Sequence, residues 1–294
     1  MSTWHLRHVT EHDIERIDGT LREWEPLGSC GAWLQAGDIG WMLRFARENT
    51  ALALLEWTTP GGEPGAIMCR DAKDSWRFAT NPGLFNDRTL AESIVDWAMS
   101  RPPNDALTVD GPWVPAVWRQ VFVERGFEAS TDTWVQMWRP LDTGDIVDVP
   151  SVEAIRDDRS IADRVVVQKA AFSNSTFTVD KWHNMAEGPS FRREFDMLAR
   201  DAAENPVAAV TVWLPGAGKC GLIEPMGTHS GYRRQGHGQR VILAACTALA
   251  RAGASGVSVV PPGSNPAAVE VYRSAGFRRI GLISGMIKQS LNVR

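Results

Sequence analysis

The sequence predicts an α/β fold built twice, one copy after the other. Three observations predict it. A strand-like segment, Glu224-Pro225-Met226-Gly227-Thr228-His229, runs through a loop carrying two arginines and two glycines directly into an apolar helical stretch at 241–251. The elements around that loop alternate between strand periodicity and helix periodicity, with turn residues at each change. The pattern also recurs: Gly126-Phe127 and Gly276-Phe277 are separated by 276 − 126 = 150 residues. The same offset lays residues 76–80 under 226–230 and 89–99 under 239–249 without a gap, which is the signature of an internal duplication.

In the first copy, 1–140, residues 4–9 alternate as a strand. Thr10 caps a helix that carries Ile14, Ile17 and Leu21 on one face. Glycines at 28 and 31 punctuate a loop before a second short helix. Leu43-Arg44-Phe45 reads as the start of the next sheet segment and 51–58 as a strand. After the turn Pro60-Gly61-Gly62-Glu63-Pro64-Gly65, residues 66–70 and 75–80 complete a meander. A helix at 89–99, a short strand at 106–109, a break at Gly111-Pro112, a helix at 114–125 and a strand at 133–139 follow. Residues 141–150, with Gly144 and three aspartates, read as a linker. The second copy, 151–294, repeats the order: a weak strand near 152–155, helices at 160–172 and 178–187, strands at 195–202, 207–214 and 220–228, the loop, a helix at 239–252, a strand at 256–260, a helix after Asn265, and a last strand at 279–288.

Composition bounds the function. Of the 294 residues 44% are hydrophobic and 22% charged, enough for a real core. A net charge of −4 argues against a general nucleic-acid surface. No apolar run is long enough to span a bilayer, and the N-terminus lacks the blocks of a signal peptide. The expectation is a cytoplasmic protein, monomer or homodimer, with no nucleic-acid or membrane partner. The four cysteines, Cys30, Cys69, Cys220 and Cys246, have no metal or redox spacing and read as buried free thiols. His183, His229 and His237 share no ligand spacing with cysteines or carboxylates, so no metal is expected.

The loop itself gathers anion-binding groups. The first turn of a helix has N–H donors without intrahelical partners, and its dipole favours negative charge. Gly236 and Gly238 lack a Cβ that would hold an anion off the backbone. No Gly-Lys-Ser or Gly-Lys-Thr follows, and Val241 stands where a dinucleotide fingerprint has its third glycine.

Arg233-x-x-Gly236-x-Gly238 resembles the pyrophosphate loop of GNAT-type N-acyltransferases. Asn265-x-x-Ala268-x-x-x-Tyr272-x-x-x-Gly276-Phe277 resembles the second signature of that family. The resemblance is strong over 195–288, fair over 151–194 and weak in the first copy. It implies, for each copy, a mixed and mostly antiparallel sheet flanked by helices. It further implies acetyl-CoA as co-substrate and a primary amine, expected to be a small molecule, as acceptor.

The resemblance also suggests roles. Arg233, Arg234, Gln235, Gly236, His237, Gly238 and Gln239 would hold the diphosphate. Main-chain donors at Met226, Gly227 and Thr228 would hold the acyl carbonyl on a bulged strand, an irregularity that Pro225 favours. Tyr272 would act as general acid, since a phenol is a weaker acid than a thiol and stays protonated to give its proton to the leaving sulfur. The alternative for Tyr272 is a packing ring. Asn265 has two readings, a hydrogen bond to the cofactor or a helix cap. Glu224 is the candidate general base, two residues beyond the position that some relatives use, where this chain has Leu222; strand periodicity puts both on one face. Its alternative is a carboxylate that orders the loop.

At the 150-residue offset, Arg233, Gly236, Gly238, Asn265 and Tyr272 fall on Gly83, Asn86, Arg88, Pro115 and Phe122. The first copy has lost the polar groups and reads as a structural domain that shapes the acceptor groove; retained binding of a nucleotide or acyl-CoA is the rival. Thirteen tryptophans, among them Trp24, Trp33, Trp41, Trp57 and Trp76, are available to core or groove. Two further functional classes stay open, an acyl-CoA sensor without turnover and a protein-modifying acetyltransferase.

Overall fold

The structure, a computed structural model, describes residues 4–30, 34–72, 75–100, 107–110 and 116–288. Trp33, Gly111-Pro112 and Pro115 lie outside them. The first half contains β1 (His5–His8), α1 (Ile14–Trp24), α2 (Ala36–Met42), α3 (Arg47–Leu52), β2 (Leu54–Thr58), β3 (Pro64–Ala72), β4 (Ser75–Thr80), α4 (Arg88–Met99), β5 (Leu107–Asp110), α5 (Ala116–Glu124) and β6 (Glu128–Pro140). The second half contains β7 (Val152–Ala154), α6 (Asp158–Ala171), α7 (Val179–Ala186), β8 (Asp196–Arg200), β9 (Pro206–Trp213), β10 (Cys220–Thr228), α8 (His237–Arg251), β11 (Gly256–Val259), α9 (Pro266–Ser274) and β12 (Arg278–Lys288). The offset holds closely: 266 − 116, 274 − 124 and 278 − 128 each equal 150.

Strand alternation builds three layers. Leu54, Ile67, Cys69 and Ala79 face α1 and α2, while their neighbours Leu55, Ala66, Met68 and Phe78 face α4 and α5. In the second half Met197, Ala199, Val210 and Val212 pack on α8, and Leu198 and Ala209 pack on α6 and α7. Leu43–Phe45 is a 3-10 turn rather than the start of a strand, and α3 follows it. The Thr50 hydroxyl bonds back to the carbonyls of Met42 and Ala46, tying α3 to the turn before it, and the strand begins only at Leu54.

The strands form one sheet in the order β1-β2-β3-β4-β5-β12-β6-β11-β10-β9-β8-β7. Among the described strands only β4–β5 and β10–β11 are parallel, at equivalent places in the two halves. The last strand of each half is exchanged: β12 pairs with β5, and β6 pairs with β11. The exchanged strands pair with each other from Arg278↔Trp138 to Ile287↔Glu128. With a neighbour on each side, β6 runs for 13 residues, longer than its alternation predicts. The sheet is therefore continuous across the boundary that the repeat places after residue 140.

A second junction brings α2 against the other half. A Cβ on Gly37 would lie 2.6 Å from the Trp213 Cβ, and a Cβ on Gly40 would collide with the Trp213 ring. Only glycine lets α2 sit this close. Around it Gly28 N–H donates to the Gly218 carbonyl at 3.0 Å and Arg22 to the Pro215 carbonyl at 3.0 Å. The thiols of Cys30 and Cys220 also meet here, at 3.5 Å, a contact that sequence spacing does not reveal. Among the described residues no helix is long and apolar enough to cross a membrane.

Candidate active site

The site starts where β10 loses a neighbour. Cys220, Gly221 and Leu222 pair with Gly256, Val257 and Ser258 of β11, and beyond Leu222 only β9 remains paired. The β9 register shifts between Ile223 and Met226, at the cis Glu224–Pro225 peptide, as the bulge reading anticipates. The Glu224 carbonyl accepts a hydrogen bond from Trp213 Nε1 at 2.6 Å. Farther on, His229 N–H donates to the Val207 carbonyl at 2.9 Å. The two-residue alternation of an antiparallel ladder then turns Gly227 toward β9 and leaves the N–H groups of Met226 and Thr228 on the open edge. The missing Cβ of Gly227 makes room for Ala171 and Phe172, since a Cβ there would lie 2.6 Å from the Ala171 Cβ.

The open edge leads into the loop. Arg234 and Gly236 both take positive φ, 62° and 81°. Gly236 is the N-cap of α8, with no side chain over the helix start and open space where a Cβ would be. Among the described hydrogen bonds none uses the main-chain N–H groups of 233–239, so the first turn of α8 keeps its donors. Gly238 is needed for a different reason: a Cβ there would lie 2.9 Å from Thr228 Oγ1 and 3.2 Å from Val271 Cγ2. Arg233, Arg234 and Gln235 are exposed, and Arg233 reaches the Ala171 carbonyl at 2.9 Å. His237 turns its ring inward onto Arg240, with Nδ1 2.7 Å from the guanidinium; burial, then the Arg240 charge, lowers its pKa. What His237 offers at the loop is therefore its amide, not a positive ring. Gln239 Nε2 donates to the Ser274 carbonyl at 2.5 Å, tying α8 to α9.

Asn265 caps α9, its Oδ1 accepting the Ala268 N–H at 3.1 Å, and it also lines the cavity described next. Tyr272 is buried, with its ring edge-on to Phe277 at 5.5 Å. Burial, and then the charge of Glu224, pushes its phenol well above the ordinary value, so it stays protonated.

Tyr272, Asn265, Glu224, Met226 and Leu222 line one cavity of about 350 Å³ between the halves. Its other wall belongs to the first half: Gln35 at the N-cap of α2 and Asp38 within it, Asp71 from β3, Ser75 and Arg77 from β4, Trp134 and Gln136 from β6. These residues carry no sequence motif, and only the fold brings them to the site. Of the described tryptophans singled out from the sequence, Trp24, Trp41, Trp57 and Trp76, none lines it; Trp57 and Trp76 pack around Trp97 in the core. A larger depression of about 920 Å³ lies nearby, over Met42, Arg44, Arg70 and Lys181. It shares Asp71 with the cavity but contains neither Glu224 nor Tyr272, so the candidate site residues line the smaller space.

Glu224 is the perturbed acid of the cavity. Burial pushes its carboxyl up to about 8, Asp38 adds to the rise, and Arg77 and Arg44 oppose it. Asp38 and Glu224 share a hydrogen bond. Asp38 in turn accepts from Gln35 N–H at 2.6 Å and from Arg77 Nη1 at 2.7 Å. Among the described residues no cluster of three metal-ligating side chains occurs.

The equivalent place in the first half has the opposite character. There α4 is capped by Asp87, whose carboxylate accepts the Leu90 N–H at 3.0 Å. A carboxylate thus occupies the helix start that an anion would need. Phe122, the counterpart of Tyr272, is fully buried.

Comparison with known proteins agrees with this geometry. Residues 164–277 match the Acetyltransferase (GNAT) family. No curated protein matches the chain. Among solved structures, a GCN5-related N-acetyltransferase from Sphaerobacter thermophilus aligns over 98% of this chain and 96% of its own, with TM-score 0.58 and 17% identity. A GNAT-family acetyltransferase from Colwellia psychrerythraea aligns over 97% and 100%, with TM-score 0.59 and 12% identity. A tandem GNAT protein from the clavulanic acid biosynthesis pathway aligns over 99% and 100%, with TM-score 0.60 and 15% identity. Residues 164–277 thus match the Acetyltransferase (GNAT) family, and the chain as a whole shares its fold with these GNAT structures, the tandem GNAT protein among them.

Proposed function

We propose that the chain transfers an acetyl group from acetyl-CoA to a primary amine of a small molecule, in the cavity between its halves. One observation carries this reading: the Glu224 carboxyl and the Tyr272 phenol share a cavity that opens where β10 leaves β11, at the foot of the loop with unpaired amides. Those amides, Gly236 without a side chain, and exposed Arg233 and Arg234 fit a diphosphate. When bound, the co-substrate supplies an acetyl group activated as a thioester. The N–H groups of Met226 and Thr228 are free to stabilise negative charge on its carbonyl oxygen. Glu224 takes the proton of the incoming ammonium, and Tyr272 gives one to the departing sulfur. A cavity of about 350 Å³ lies at the small end of the range typical of small-molecule sites, and this favours a small acceptor over a polypeptide.

The test is a thiol-release assay with acetyl-CoA and a panel of small primary amines. Transfer to at least one amine is expected, with Glu224→Gln and Tyr272→Phe each lowering turnover by about 10²-fold or more while acetyl-CoA binding persists. Tight acetyl-CoA binding without transfer to any amine would instead make the protein a sensor.

A further inference from the structure

The carboxyl that accepts the proton in this reading does not stand alone. The first half presses Asp38 against it from α2, and Asp38 is itself held twice, by Gln35 N–H at 2.6 Å and by Arg77 at 2.7 Å. The Asp38 side chain is 3% exposed and that of Arg77 15%. Arg77 also pairs with Asp71 at 3.0 Å. The groups that act on Glu224 are thus Asp38 on α2, Arg44 in the turn after it, Arg77 on β4, Cys69 on β3 and Tyr272 on α9, with Asp71 reaching it through Arg77. Only one of these, Asp38, hydrogen-bonds the carboxyl.

Both Asp38 oxygens already accept hydrogen bonds from firm donors, Gln35 N–H and Arg77 Nη1. The proton between the two carboxyls then resides on Glu224, which donates to Asp38. Two neighbouring carboxyls cannot both ionise freely, and Asp38 raises the proton affinity of Glu224. This matters for the reaction. An isolated carboxylate of ordinary acidity is a poor base toward an ammonium ion, whereas one tuned toward neutral pH is matched to it.

We propose that Asp38, contributed by the degenerate first half and held by Arg77, is the positioning residue that makes Glu224 an effective proton acceptor. This rests on the acyl-transfer reading and extends it: the first half completes the reactive centre rather than only walling it. The proton balance is simple. Ionised Glu224 takes one proton from the acceptor ammonium, leaving a neutral amine to attack. The resulting Glu224 carboxyl donates its hydrogen bond to Asp38, and the pair carries one negative charge instead of two. Arg77 holds Asp38 in place and opposes the rise at Glu224, so without Arg77 the Glu224 carboxyl binds its proton still more tightly.

The test needs no identified acceptor. The full chain is labelled with ¹³Cδ-glutamate and titrated, and the Glu224 resonance is assigned by its loss in Glu224→Gln. A midpoint near 8 is expected. Asp38→Asn should move it down by about one unit or more, a tenfold change in proton affinity, and Arg77→Gln should move it up. The opposed directions separate electrostatic coupling from general damage; if Asp38→Asn does not fold, the wild-type midpoint and Arg77→Gln still decide. A wild-type midpoint in the ordinary carboxylate range near 4.5 overturns the proposal, and so does a midpoint unmoved by Asp38→Asn. Failure of the underlying reading looks different: Glu224→Gln would then acetylate amines as well as the wild type does.

Discussion

At Phe122 the first half keeps the ring of Tyr272 and drops its hydroxyl. Phe122 meets Phe127 edge-on at 5.1 Å, as Tyr272 meets Phe277 at 5.5 Å. The ring therefore serves packing in both halves, and in the proposed mechanism the hydroxyl is the functional addition. Tyr272→Phe should leave the melting temperature within a few degrees of wild type, because no hydrogen bond to the protein is lost among those described, while turnover falls. A variant equally destabilised and inactive would show that the hydroxyl is structural. Glu224 gives a pH signature. Its folded-state pKa is raised, so its contribution to stability is full below about 4.5 and lost as pH rises through about 8. Relative to Glu224→Gln, wild type should lose melting temperature across that window; a difference that is flat with pH contradicts the raised value. Tyr272 and Glu224 were legible from local pattern, Tyr272 from motif spacing and Glu224 from its place just before the loop. Asp38 was not, because its meaning depends on a partner 224 − 38 = 186 residues away.

Among the elements, the contrast between α4 and α8 divides the labour of the two halves. Asp87 satisfies and neutralises the start of α4, while Gly236 leaves the start of α8 bare. Half of this contrast was readable in the sequence, where Gly236 and Gly238 fall on Asn86 and Arg88; the Asp87 cap is seen only in the structure. The role of α2 was not readable. A seven-residue helix with two glycines, AGDIGWM, has weak helix propensity and no ligand pattern. Its glycines make sense only against Trp213, and the packing they permit carries Asp38 to Glu224. Gly37→Ala should push α2 off Trp213, because the added Cβ would lie 2.6 Å from the Trp213 Cβ. We expect a cost of about 1–3 kcal/mol and a fall in turnover greater than any loss of acetyl-CoA affinity. Affinity falling as much as turnover would mean that α2 supports the loop instead of the reactive centre. Chemical denaturation and titration calorimetry on the same variant distinguish the two.

For the molecule as a whole, the duplication is visible in the sequence and the exchange of final strands is not. Alternation identifies β6 and β12 as strands, but the same pattern suits either neighbour, and pairing partner is a property of the assembled sheet. Because β12 pairs with β5 and β6 with β11, neither half closes its sheet alone. Thermal unfolding should therefore show one cooperative transition; two well-separated transitions would mean that the halves are independent. In the proposed mechanism the division of roles is asymmetric all the same: the second half would hold the donor, and the first would contribute only walls and Asp38. Isothermal titration of acetyl-CoA into the full chain tests this most directly, with Gly236→Asp as the comparison, a change that gives α8 the kind of carboxylate that caps α4. The account predicts one equivalent bound per chain, and binding at least about tenfold weaker when that carboxylate stands at the helix start. Two equivalents, or affinity unchanged in Gly236→Asp while the variant remains folded, would contradict it.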